Sequence, residues 1–181
     1  MGTLAALSFR GKRSKLLPGK ALFFLSNLCI LGGMEKTLRK GVDCIGITTS
    51  FMCHDGHGNI LLNKRSKNCR DEHGRWDIGG GSVEFGATIE ETLRKEIKEE
   101  YCTDVLDFEF LGYRDVFREQ NGQLTHWLSM DFKVLVDRSK VRNGEPRKFD
   151  ELQWFKLKDF PEPMHSQFPK FLEQYGARLG L

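Results

Sequence analysis

The sequence predicts a mixed-sheet α/β domain with its helices packed outside the sheet, and three observations point there. Runs rich in β-branched and aromatic residues lie on both sides of one strongly patterned helix. Those runs are joined by Gly- and Asn-containing turns of the hairpin kind, and no regular strand-helix-strand repeat is present. At 181 residues the chain is long enough for one domain with a sizeable core.

The elements follow in order. Residues 42–53 are rich in Val, Ile, Thr and Phe and read as a strand. His54-Asp-Gly-His-Gly-Asn59 is turn chemistry, with residues 60–63 as the hairpin partner. His54 and His57 have a metal-like spacing, but a Gly-rich turn without a set of carboxylate or Cys ligands is read as structural. Residues 64–75 form a polar basic loop containing Lys64, Arg65, Lys67, Arg70 and Arg75. Thr88 followed three residues later by Glu91 makes a capping box, so a helix starts there. Ile89, Leu93 and Ile97 give it one apolar stripe, and it should end near Cys102. Residues 105–118 and 124–137 are long β-like runs joined at Asn121-Gly122. A polar loop over 141–148 leads to a last strand over 152–157, and a closing helix over 166–175 follows Pro161 and Pro163.

Composition excludes several classes. Fourteen Phe and three Trp against five Pro are inconsistent with a disordered chain, and no apolar run reaches the 18 or so residues of a membrane span. Five Cys at 29, 44, 53, 69 and 102, with no Cys-x-x-Cys pair, suggest neither a disulfide framework nor a cysteine zinc site. Reduced thiols in a cytoplasmic protein are the simplest expectation. The formal charge of +3 is uneven: residues 1–34 hold Arg10, Lys12, Arg13, Lys15 and Lys20 and no acid, leaving 23 basic against 25 acidic residues beyond. A nucleic-acid polymer is therefore not an expected partner of the folded part. The division is a basic and apolar extension over 1–34 and a domain over 35–181. The extension reads as a targeting segment, as an added element packed on the domain, or as a stretch upstream of a start at Met34.

The chemistry concentrates in residues 79–100, where a glycine loop runs directly into a helix loaded with carboxylates. At about 100° per residue, Glu96, Glu99 and Glu100 share an arc of roughly 100°. Like charges so placed repel one another, and a divalent cation relieves the conflict; hard oxygen ligands select Mg²⁺, with Mn²⁺ as the alternative. A plain solvated acidic face, with Glu paired to Arg94, Lys95 and Lys98, is the competing reading.

Residues 81–100 resemble the Nudix box, G-x5-E-x7-R-E-U-x-E-E-x-G-U with U an aliphatic residue. Gly81 is its first glycine, and Glu96, Ile97, Glu99 and Glu100 match the helix part. A looser likeness, including Trp76, Leu111-Gly-Tyr-Arg114 and Glu151-x-x-Trp-Phe155, spans about residues 42–175. The resemblance implies an α/β/α sandwich with a mixed sheet, a catalytic loop-helix and a C-terminal helix. It implies Mg²⁺-dependent cleavage of a nucleoside diphosphate linked to X, such as a nucleoside triphosphate, an ADP-sugar or a dinucleotide, by a monomer or homodimer. Glu96, Glu99 and Glu100 are then the catalytic carboxylates and metal ligands, with Gly80 and Glu151 (or Asp150) as further ligands. Arg65, Arg75, Trp76, Gly80 and Gly81 are the candidate substrate contacts, with Lys67 beside them and Phe85, Tyr113 or Trp154 as other stacking surfaces. His126 and Trp127 are read as packing residues. Three positions depart from the box: Ala87 replaces a Glu, Lys95 an Arg, and Cys102 a Gly. Lys95 is thereby expected to lack its loop partner, and a non-catalytic nucleotide-binding module with a drifted box is the alternative function.

Overall fold

The computed structural model describes residues 28–31, 34–120 and 122–180. The basic cluster between Arg10 and Lys20, and Asn121 of the hairpin turn, lie outside them. β1 (Leu28–Leu31), in the extension, pairs antiparallel with β2 (Met34–Thr37), which crosses into the domain, as a separate two-stranded sheet.

The main sheet has seven strands: β3 (Gly46–His54), β4 (Asn59–Arg65), β5 (Trp76–Asp77), β6 (Gly79–Ser82), β7 (Val105–Gln120), β8 (Gln123–Val136) and β9 (Phe149–Lys156). Its main order is β5-β4-β3-β8-β7, with β6 on β3 and β9 on β4. Only β3 and β8 are parallel, so the sheet is mixed. Helix α1 (Ile89–Tyr101) covers one face and α2 (Phe168–Leu179) the other.

Alternation along β3 builds both cores. Phe51 and Cys53 point to the α1 side, where Leu61, Leu93, Ile97, Tyr101 and Val134 are buried. Met52 points the other way, into Leu62, Leu111, Phe168, Phe171 and Tyr175. Phe168, Phe171, Tyr175 and Leu179 form the buried stripe of α2, which runs later than the expected 166–175 because that stripe continues to Leu179. Each large apolar side chain buried in this way contributes about 1.5–3 kcal/mol.

The hairpin expected between β3 and β4 is real but short. The two strands pair at His54 and Ile60 and then part, because β6 occupies the edge of β3 from Thr48 to Phe51. β4 takes β9 instead, from Asn59 to Arg65. The long β7–β8 hairpin closes at Gln120 and Gln123 as expected. No helix among the described residues is long and apolar enough to cross a membrane.

Candidate functional site

The site is built where β3 and β4 part. The glycine stretch, expected as a loop, is a strand: β6 lies on β3 with Gly79, Gly80 and Gly81 opposite Phe51, Ser50 and Thr49. Only glycine fits there. A Cβ on Gly81 would overlap the Glu96 carboxylate, and one on Gly79 would stand 2.7 Å from Glu100 Oε2 and overlap the Phe51 ring. Thr48 Oγ1 donates to the Gly81 carbonyl at 2.9 Å, which holds the strand in place.

Helix α1 starts as its sequence dictates. The Glu91 N–H donates to Thr88 Oγ1 at 3.1 Å, and the Thr88 N–H donates to the Glu91 carboxylate at 2.8 Å. Its apolar stripe is buried, which turns Glu96 and Glu100 toward the glycine strand and leaves Glu99 exposed. Glu100 is 4% exposed, and its hydrogen bond to the Gly80 N–H is long, at 3.4 Å. Burial, with Glu96 and Glu145 nearby, pushes its carboxyl well above the usual carboxylate range. Burial and Glu99 raise Glu96. Neither these two nor Glu99 has an ion pair within 4.0 Å among the described residues, and no three His, Cys, Asp or Glu side chains there stand preassembled as an ion cage.

Two departures from the box read differently in three dimensions. Lys95 does have a loop partner: its Nζ lies 3.2 Å from Glu84 Oε1, so Glu84 takes over the contact that a Glu at 87 would make. Both groups are about half exposed or more, so the pair orients the loop more than it stabilises it. Cys102 adopts the left-handed conformation of a helix-capping glycine, with φ 56° and its N–H bonded to the Lys98 carbonyl.

The other predicted residues divide. Gly80, Gly81 and Arg65 line a cavity of about 280 Å³ that runs from the glycine strand toward α2. Arg65 is held there by Asp71 at 3.0 Å and Asp77 at 3.4 Å. Arg75 bonds Glu72 and the Met164 carbonyl, and Trp76 is buried edge-on against Phe155; neither lines the cavity. Glu151 sits on β9, half exposed and paired with Lys64 at 2.9 Å. The carboxylate from this part of the chain that reaches Glu96 and Glu100 electrostatically is Glu145, which Lys148 holds at 2.7 Å. Phe85 and Tyr113 are exposed, and Trp154 packs on the α1-side core.

Trp127, expected only to pack, does both. Its indole lies so close over Gly41 and Gly46 that neither could carry a Cβ, and it also lines the cavity. Asn63, Asp77, Ser129, His165 and Gln167 also line the cavity and were not singled out by sequence, as does Arg114, which was named within the family likeness. The available signal was the polar pair Ser129 and Asp131 at alternate positions between the apolar residues Leu128, Met130 and Phe132 of one strand.

The arrangement fits a hard divalent cation. Oxygen donors only, one of them a buried carboxylate without an ion pair within 4.0 Å among the described residues, face a backbone with no side chains in the way.

Comparison with known proteins agrees with this geometry. A family model for the NUDIX domain matches residues 45–175. The "Oxidized purine nucleoside triphosphate hydrolase" of Danio rerio is 30% identical over 58% of this chain and 62% of its own length. The "Putative nudix hydrolase 1" of Caenorhabditis elegans is 28% identical over 55% of this chain and 25% of its own length. The chain thus spans less than two thirds of either curated relative. Among solved structures, a MutT NUDIX hydrolase from Burkholderia pseudomallei superposes with a TM-score of 0.63 at 28% identity, covering 71% of this chain and 96% of its own. By the extent of the family match and the shared fold, the chain belongs to the Nudix hydrolase family.

Proposed function

We propose that the protein is a Mg²⁺-dependent pyrophosphohydrolase that cleaves a nucleoside diphosphate linked to X, with nucleoside triphosphates as the first class to test. The observation that carries this reading is the glycine strand laid directly against Glu96 and Glu100, beside a cavity of about 280 Å³. The family generally uses a divalent metal, and Glu96, Glu99 and Glu100 are the groups that would hold one, with the Gly80 backbone adjacent. When bound, the cation neutralises the diphosphate and polarises its phosphorus.

The chain's own residues do the rest. β6 lets the diphosphate approach the backbone with no side chain between them. Glu99, exposed on α1 beside Glu100, orients a water toward phosphorus and accepts its proton as the water oxygen bonds to phosphorus and the anhydride P–O bond breaks, the leaving phosphate taking that bond's electrons. Glu100, buried beneath it, stands ready as an acceptor whose ionised form an incoming positive charge stabilises. Arg65, fixed by Asp71, presents a cation along the substrate path. The Danio rerio relative's name, an oxidised purine nucleoside triphosphate hydrolase, supports triphosphates as substrates. The Lys95–Glu84 contact favours a working loop over a drifted, non-catalytic one. Incubation with a nucleotide panel, with Mg²⁺ or with EDTA, tests the proposal. Mg²⁺-dependent release of a nucleotide product is expected; binding without turnover of any member defeats it.

A further inference from the structure

Helix α1 covers only part of its face of the sheet. Strand register maps that face row by row, because directly opposed residues point the same way. Phe51, Phe132 and Phe110 form one row, and Phe51 and Phe132 are buried in the core with Leu93 and Ile97 of α1. The next rows are Thr49, Met130 and Tyr113, then Ile47, Leu128 and Asp115. Beyond them Phe117 stands opposite His126, and Leu124 opposite Glu119. Burial fades along the rows. Met130 is partly buried against the α1-side core, whereas Ile47 is 42%, Tyr113 60%, Phe117 64% and Leu124 69% exposed. No described element covers them, since α1 packs further along the strands and α2 lies on the opposite face.

Size and chemistry both describe an interface. With Ile45 and Phe110, also exposed, these side chains offer on the order of 700 Å² of surface. A typical monomer leaves no more than a few hundred Å² in one apolar patch, and each partner in a standard interface contributes roughly 800 Å². The polar residues at its centre already have partners in the chain. Asp115 Oδ1 lies 2.8 Å from His126 Nε2, the Phe117 ring packs on that imidazole with centroids 4.3 Å apart, and Thr49 Oγ1 donates to the Gly81 carbonyl. Burying this face therefore strands no charge at its middle, and aromatic residues dominate it, as in the cores of protein interfaces. A flat apolar sheet face is matched best by another flat sheet face, and such a surface is complementary to itself. A formal charge of +3 over 181 residues opposes self-association only weakly. We propose that two copies of the protein pack this face together across a two-fold axis, sheet on sheet, as a homodimer. The cavity is lined by Trp127 and Ser129, the alternate residues of β8, so it opens on the other face and stays accessible in both copies.

Sedimentation velocity of the full chain between about 1 and 100 μM tests it, with the dimer expected to dominate at the upper end. Ile47→Lys and Phe117→Lys each put a charge into the middle of the interface and should raise the dissociation constant at least about tenfold. The two together should leave a monomer throughout. Lys170→Glu alters an exposed charge on α2, across the sheet, and should leave the constant as it is. Should a lysine variant fail to melt cooperatively, amide hydrogen exchange of the wild type decides the matter. Exchange over residues 113–117 and 124–130 should slow as protein concentration rises. A monomer across the range overturns the proposal, as does a dimer that both lysine variants leave intact, or exchange that ignores concentration. Protection of the same face in a monomer would assign it to residues 1–27 of the same chain, and overturns the proposal as well.

Discussion

Two clusters of charge stand on either side of the glycine strand, and they are balanced in opposite ways. Around the loop after β4, Asp71 contacts Arg65 and Arg118 at 3.0 Å each, and Glu72 contacts Arg75 at 3.0 Å and Arg118 at 3.1 Å. Burial alone would raise Asp71, but Arg118, Arg70 and Arg65 outweigh it and hold the group below its ordinary value. On α1 the opposite holds: burial and like charges raise Glu96 and Glu100, and Lys95 and Lys148, acting from beyond ion-pair distance, do not offset them. The first cluster is complete within the chain and ties the loop to β7 and to Ser166 ahead of α2. The second has no ion-pair partner within 4.0 Å among the described residues, and under the proposed function a bound cation would supply it. Clusters of similar composition thus take structural or chemical roles according to whether the fold supplies their counter-charges.

The largest expected effect breaks the unbalanced cluster. Glu99→Gln with Glu100→Gln should lower Mg²⁺-dependent turnover by about 10²–10⁴-fold while leaving the metal-free melting temperature unchanged or higher, since a buried charge is lost. Mg²⁺ should raise the melting temperature of the wild type and not of this variant. A metal-free melting temperature that falls sharply would make these carboxylates structural.

Asp77, 3.4 Å from Arg65, sits at the border between the clusters, and burial pushes it up to about 7 despite that arginine. The native state then keeps a proton that the unfolded chain releases near pH 4, so this group loses stability as pH rises from about 4 to 7. Asp77→Asn removes that loss. Its stability relative to wild type, from urea melts, should climb across this window by on the order of 3 kcal/mol. A flat difference would place the carboxyl in the ordinary acid range.

Arg118→Met breaks the balanced cluster and should cost about 2 kcal/mol, as Asp71 and Glu72 keep fewer counter-charges in a partly buried setting. Retained stability in urea melts would show that Arg65 and Arg75 suffice. The smallest effect is Cys102→Gly, which relieves a left-handed non-glycine residue and should stabilise by about 1 kcal/mol in the same measurement.

Helix α1 was legible almost to the residue, because a capping box and an i, i+4, i+8 stripe are local signals read within one helix. The β7–β8 hairpin was legible for the same reason. The pairing of β4 with β9, the splitting of β3 from β4, and the course of the glycines as a strand were not, because each depends on which edge is left free once other strands have paired. Arg65 lines the cavity, whereas Arg75 and Trp76, expected beside it as substrate contacts, are turned into an ion pair and the core.

By itself the sequence determined that Glu96, Glu99 and Glu100 share one arc of α1, since helical spacing fixes it. Only the tertiary structure decided what opposes them: Glu84 for Lys95, no ion-pair partner within 4.0 Å of Glu100 among the described residues, and Arg114 paired with Asp131 on the cavity wall. The reason is range. Helical geometry acts over a few residues, whereas the electrostatic fate of a buried charge is set by groups brought from other strands.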